Sequence, residues 1–234
     1  MKILIYDDSL EDGKHLTELL TRFAKDNSMQ FSITKCTSSA FLFNHINEYD
    51  LLFLDVELIN ENGIEIGKKL NTIQHDCKIL ITSAYKKYLI EGYKIHAERY
   101  FLKPISAIEL NEEIKEVIQN IETQRAGFID FTISKEKILY KDILYIDTFE
   151  RKTRIHFING KYLDSGHTMK EWNSILDSRF FFMIHKSVII NLNYVLNYTK
   201  SDVILNPNIT LPLSRNYRKA FEEKYIHFIM KGSL

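Results

Sequence analysis

The chain has 234 residues, 45% of them hydrophobic, with 31 Lys+Arg against 31 Asp+Glu. That length holds one large domain or two ordinary ones around a real core. It contains no apolar stretch near the ~18 residues that span a bilayer, and the run after Met1-Lys2 is too short for a signal-peptide core. Cys36 and Cys77 make neither a disulfide framework nor a zinc quartet, so a cytoplasmic location is expected. The charge is uneven: residues 1–125 carry 15 basic against 20 acidic side chains, residues 126–234 carry 16 against 11. An acidic front half and a basic back half fit two domains with different partners, the second suited to nucleic acid.

Lys2–Tyr6 reads as a buried strand, and Glu11–Ala24 as a helix with Leu16, Leu19, Leu20 and Phe23 on one face. Phe31–Thr34 is a short strand. Thr37-Ser38-Ser39 offers an N-cap for a helix through Phe41, Leu42 and Ile46. Strands follow at Leu51–Leu54, Lys78–Thr82 and Arg99–Leu102, with helices from Gly63, over Tyr85–Ile95, and after Ser106. This alternation predicts a doubly wound α/β domain whose continuous apolar strands form a parallel sheet covered on both faces. Beyond Gln124 the pattern turns mostly β. Strands are expected at Phe128–Ile133, Ile138–Tyr140, Ile143–Asp147, Thr153–Ile158, Lys161–Ser165, Val195–Thr199, Val203–Leu205 and Ile209–Leu211. Asn159-Gly160 signals a hairpin, and helices are expected over Thr168–Leu176 and Ser214–Ile229.

Carboxylates stand at two strand ends, Asp7-Asp8 and Asp55, and Ser83 and Lys103-Pro104 end two others. In a 2-1-3-4-5 sheet these ends meet at the switch point, so all five side chains are expected to converge. Three carboxylates stay ionised together only if a divalent cation or a lysine shares the site. Magnesium takes few carboxylates plus waters and phosphate oxygens. A lysine and a hydroxyl suit the remaining phosphoryl oxygens, which makes Asp55 a candidate nucleophile forming an aspartyl phosphate. Taken singly, each element has a plainer reading: a turn aspartate, a solvated strand end, a helix cap, a loop.

In combination, residues 1–124 resemble a response-regulator receiver domain, carried by Asp7-Asp8, Asp55, Ser83-Ala84 and Lys103-Pro104. The resemblance implies that Asp55 accepts a phosphoryl group from a sensor histidine kinase. Asp8, assisted by Asp7, would bind Mg2+ with Asp55 and the backbone carbonyl of Glu57. Ser83 and Lys103 would contact the phosphoryl group, and Tyr100 would change rotamer on activation. Two receivers would then pair as a homodimer.

Residues 135–234, after a linker and strand at 125–134, resemble a LytTR-type DNA-binding domain. The resemblance is carried by Asp142–Ile146, Phe181–Leu192 and Leu211–Tyr217. The whole chain thus resembles a two-component response regulator of the LytTR family. The resemblance implies that loops read promoter DNA, as paired direct repeats. The contacts it implies are Arg151, Lys152 and Arg154 in one basic stretch, Lys186 in a polar break, and Arg215 at the start of the last helix. Arginine pairs bidentately with guanine in the major groove. Trp172 is expected in the core.

Two other function classes share parts of this pattern. A phosphatase turning over on Asp55 would show a second aspartate where the chain reads Asp55-Val56-Glu57; its absence favours a phosphoacceptor that is not a turnover enzyme. A β-rich half that binds a protein partner instead of DNA is the other alternative. No Gly-rich phosphate loop follows any strand.

Overall fold

The computed structural model describes residues 1–232, and two compact units divide the chain, Met1–Ile121 and Glu122–Leu234. In the first unit β1 (Lys2–Tyr6), β2 (Ser32–Cys36), β3 (Leu51–Asp55), β4 (Lys78–Ser83) and β5 (Arg99–Leu102) form a parallel sheet in the order β2-β1-β3-β4-β5. The helices are α1 (Leu10–Asp26), α2 (Ser39–His45), α3 (Gly63–Leu70), α4 (Leu89–Lys94) and α5 (Ala107–Arg125).

Side chains alternate across a strand, so an apolar run supplies two cores at once. Ile3, Ile5, Leu51, Phe53, Leu80 and Phe101 pack with Leu16, Leu20 and Phe23 of α1 and with Leu110, Ile114, Val117 and Ile118 of α5. Leu4, Tyr6, Leu52, Leu54 and Ile79 pack on the opposite face with Leu42, Ile66 and Leu70. Caps fix where these helices begin: Ser9 accepts from the Asp12 amide, Ser38 from Phe41, and Asn62 from Ile64. The helix expected over Tyr85–Ile95 is instead a 3-10 turn at Lys86–Tyr88 followed by the short α4. No side chain caps either start, and Gly92 weakens the interior.

In the second unit β6 (Gly127–Phe128) pairs with β7 (Ile138–Leu139). Then come β8 (Ile143–Phe149), β9 (Lys152–Phe157), β10 (Tyr162–Ser165), α6 (Met169–Ile175), β11 (Phe181–His185) and β12 (Val188–Asn191). They make an antiparallel sheet in the order β10-β9-β8-β12-β11. A three-stranded sheet, β13 (Val195–Tyr198), β14 (Asp202–Leu205) and β15 (Ile209–Pro212), and the helix α7 (Arg215–Gly232) complete it. Trp172 of α6 is fully buried with Ile143, Ile155 and Ile189. Phe221 of α7 packs with Ile184, Ile190, Val203 and Leu211 on the other side.

The strand expected over Phe128–Ile133 is two residues long. Asp130 ends it by accepting from the Thr132 amide at 2.9 Å, a turn that competes with pairing. The strands β11 and β12 have no counterpart among the strands expected from the sequence. Residues 233–234 of the expected C-terminal domain lie outside the described residues.

Candidate functional site

The acidic pocket follows from strand parity. Asp7 continues the Ile3/Ile5 face, Asp55 the Leu51/Phe53 face and Lys103 the Phe101 face, so all three point toward α1 and α5. Lys103 Nζ lies 2.9 Å from Asp7 Oδ2, 2.9 Å from Asp55 Oδ2 and 2.9 Å from Asp12 Oδ2. The Lys103, Asp7 and Asp55 side chains are 12%, 3% and 4% exposed. Burial raises the Asp55 carboxyl above its usual range, and Asp7 adds to this; the Lys103 ammonium opposes it. Burial works against the charge of Lys103, but its hydrogen bonds to Asp7, Asp55 and Asp12 outweigh burial and raise its pKa.

Asp7, Asp8 and Asp55 each bring one carboxylate oxygen within 4.8 Å of the others. An all-oxygen donor set is what a hard divalent cation takes, so the residues fit magnesium. Asp8 also accepts the Ile59 amide, which ties the loop after β3 to the end of β1. The Glu57 amide donates to Asp55 Oδ1 at 3.2 Å.

Ser83 does not join this group. It has the opposite strand parity, continuing Ile79 and Ile81. Its Oγ accepts the Tyr85 amide at 3.1 Å and donates to the Tyr85 carbonyl at 3.4 Å. Tyr100 lies on that same side, packed with Val56, Ile64, Ile81 and Ile95. Its hydroxyl donates to the same Tyr85 carbonyl. Of the side chains expected to converge, Asp7, Asp8, Asp55 and Lys103 come together in this structure, while Ser83 and Tyr100 meet at Tyr85.

Two residues of the site escaped the sequence reading. Asp12 is the third residue of α1, where its carboxylate reaches Lys103; the Ser9-x-x-Asp12 spacing was the available signal. Gly63 opens α3 against the backbone of β3. A Cβ there would lie 2.0 Å from the Asp55 carbonyl oxygen, so only glycine permits this approach.

In the second unit the basic residues divide. Glu150 and Arg151 form the two-residue turn between β8 and β9, both with positive φ (45° and 68°), which presents Arg151 at the tip. Lys152 is exposed on β9. Arg154 is committed elsewhere. Its Nε and Nη2 meet Asp164 at 2.6 and 3.1 Å, and its guanidinium lies between the Phe149 and Tyr162 rings at 4.0 and 3.9 Å. Lys186 is exposed in the two-residue turn between β11 and β12. Arg215 is exposed in the first turn of α7. It lines a groove with His185, Lys200, Ser201, Ser214 and Arg218. Arg218 Nε is buried there without a hydrogen-bond partner. Among the described residues no helix is long and apolar enough to cross a membrane.

Comparison with known proteins finds one family model in each half of the chain. Residues 3–115 match the family model for a response regulator receiver domain, and residues 134–226 match that for a LytTr DNA-binding domain. The chain is 28% identical to the transcriptional regulatory protein LytR of Staphylococcus aureus (strain N315), over 95% of this chain and 98% of that one. It is 26% identical to the sensory transduction protein LytT of Bacillus subtilis (strain 168), over 97% and 99%. It is 25% identical to the sensory transduction protein LytR of Staphylococcus epidermidis (strain ATCC 12228 / FDA PCI 1200), over 96% and 98%. A match to the receiver model over residues 3–115 and to the LytTr DNA-binding model over residues 134–226 makes this chain a DNA-binding response regulator of the LytTR family of two-component systems.

Proposed function

We propose that the chain is a cytoplasmic, phosphorylation-controlled transcription regulator whose phosphoacceptor is Asp55. The observation that carries this reading is the Lys103 ammonium at 2.9 Å from Asp55, in a pocket where three carboxylate oxygens lie within 4.8 Å of one another. An Asp55 carboxylate oxygen attacks the phosphorus of a phosphohistidine on a sensor kinase. The O–P bond forms as the P–N bond breaks, and the imidazole stays with the kinase. Asp7, Asp8, Asp55 and the Glu57 backbone carbonyl would hold magnesium, which when bound offsets charge on the carboxylates and the phosphoryl oxygens. Lys103 is already in place for the phosphoryl group. In this reading the chain acts as a phosphoacceptor and not as a turnover enzyme.

The added charge is about −1.5 to −2 by analogy with other phosphorylated side chains. It draws Ser83 Oγ away from Tyr85, and Tyr100 repacks with the loop. The change is a population shift between arrangements of one fold. The altered α4–β5–α5 face then pairs two receivers. Pairing raises the effective concentration of the DNA-binding units for paired direct repeats in promoter DNA. Arg151, Lys152, Lys186 and Arg215 contact that DNA, while Arg154 ties β9 to its neighbours β8 and β10.

Intact-mass spectrometry after incubation with acetyl phosphate and magnesium tests the switch. One phosphoryl addition is expected in the wild type and none in Asp55→Ala. An equal addition in both would refute Asp55 as the acceptor. A fluorescence-anisotropy titration with promoter duplexes tests the output, and tighter binding is expected after phosphorylation.

A further inference from the structure

This inference rests on the phosphoacceptor reading. An ammonium has three N–H donors, and Lys103 directs all three at carboxylates: Asp7, Asp12 and Asp55, each at 2.9 Å. Lys103 is 12% exposed. The cavity it shares with Asp12, His15 and Pro104 measures about 10 Å³, no more than one water needs. The lysine therefore has no spare donor for a phosphoryl oxygen, and one partner has to yield. Asp7 is 3% exposed and belongs to the trio Asp7, Asp8 and Asp55 that fits the cation. Asp55 is the acceptor itself. Asp12 stands outside that trio and is 40% exposed, so its carboxylate reaches water at the least desolvation cost. The Asp12 amide donates to the Ser9 cap at 3.2 Å, which sets Asp12 in the first turn of α1. Three residues on, along the same helix face, His15 Nε2 donates to the Ile105 carbonyl at 2.9 Å. Helix α1 thus grips the loop after β5 on both sides of Pro104, once through an ion pair and once through a hydrogen bond.

We infer that Asp12 is the exchangeable partner of Lys103: it occupies the ammonium in the unphosphorylated chain and yields that N–H to an oxygen of the phosphoryl group on Asp55, while His15 keeps the Lys103 loop docked on α1. The two residues then act on the phosphorylated state with opposite sign. Asp12 competes with the phosphoryl oxygen for one donor, and its charge repels that of the group. His15 holds the loop in place once the ion pair has gone. Neither touches the reacting atoms, so both are positioning residues.

Beryllium fluoride tests this without a chemical step, because BeF3− coordinates a carboxylate oxygen in the place a phosphoryl group would take. Full-length protein in saturating magnesium is titrated with it and followed by fluorine NMR, with a thermal melt of each variant as the check on folding. Asp12→Ala is expected to bind BeF3− roughly two- to fivefold more tightly than the wild type, the reach of one partly exposed ion pair, with Asp12→Asn between them. His15→Ala is expected to bind it more weakly. Glu11→Ala is the charge control: it removes an exposed acid from the same helix turn, one not bound to Lys103, and should leave the affinity unchanged. An Asp12→Ala affinity at or below that of the wild type, or a gain matched by Glu11→Ala, overturns the exchange while leaving Asp55 as acceptor. An unchanged or higher affinity in His15→Ala overturns the role of His15. No binding by either the wild type or Asp12→Ala overturns both the exchange and the acceptor reading.

Discussion

The hydroxyl of Tyr100 donates to the main-chain carbonyl of Tyr85, the same oxygen to which Ser83 Oγ donates at 3.4 Å. A half-buried aromatic on β5 and a buried hydroxyl on β4 thus share one acceptor in the loop that leads to α4. If Ser83 turns to a phosphoryl group, that carbonyl keeps only Tyr100, and the loop can move with it. Tyr100→Phe removes the second bond, worth about 0.5–1.5 kcal/mol net. The unphosphorylated variant should then populate the closed loop several-fold more than the wild type. Sedimentation equilibrium should show more dimer without phosphate; an unchanged monomer fraction would leave this bond without a role in switching.

Asp55 is 3% exposed, and burial raises its pKa, with Asp7 adding to the effect. A carboxyl whose folded pKa lies above its unfolded value favours the fold most at low pH. That contribution is lost as pH rises through the folded pKa. At neutral pH the ionised Asp55 therefore weighs against folding. Asp55→Asn removes the charge and leaves Lys103 with Asp7 and Asp12. In the absence of metal its melting temperature should rise, by about 2–4 °C for each kcal/mol released in a chain of this size. Added magnesium should stabilise the wild type and have little effect on the variant. Equal melting curves in chelator at pH 7 would contradict this account.

Gly63 joins the start of α3 to β3, the strand that carries Asp55. A Cβ at this position would lie 2.0 Å from the Asp55 carbonyl oxygen and 2.8 Å from Val56 Cα. Both neighbours are backbone, so no side chain can rotate out of the way. Gly63→Ala should destabilise the chain by roughly 1–3 kcal/mol, the usual range for overpacking. It should also slow phosphorylation, because the backbone that carries Asp55 must shift. Urea denaturation and the acetyl phosphate rate check the two effects separately.

The basic residues of the second unit should behave differently from one another. Lys186→Ala and Arg215→Ala remove exposed groups and should weaken binding to operator DNA selected from a random pool, by about 1–3 kcal/mol where a base is read. Neither should alter the melting temperature. Arg154→Ala breaks the Asp164 pair and the stacks on Phe149 and Tyr162. Its loss of affinity should come with a loosened β8–β9–β10 edge of the sheet, visible as faster amide exchange at Phe149 and Tyr162. Anisotropy titrations at fixed salt, beside thermal melts, distinguish these cases. An Arg154→Ala protein with native exchange and lost affinity would assign Arg154 a direct DNA contact.

The amino-acid sequence by itself determined the alternation of apolar strands and amphipathic helices, and hence the doubly wound sheet. It also determined the strand-end positions of Asp7, Asp8, Asp55 and Lys103. These follow from local chemistry: runs such as Leu51–Leu54 bury both faces, and a polar residue ends each run at the sheet edge. Period-two parity was also present in the sequence, and it would have separated Ser83 from Asp55 and grouped it with Tyr100.

Other features came only from the tertiary structure, because they depend on residues far apart in the chain. Asp12 reaches Lys103 from another element, 91 residues away in sequence. Gly63 matters only because α3 presses on the backbone of β3. Arg154 looked like any other charge in a basic stretch until pairing of β9 with β10 set it opposite Asp164. A sequence fixes which residues carry charge; the register of neighbouring strands and helices decides which charges are already paired and which remain available to a phosphoryl group or to DNA.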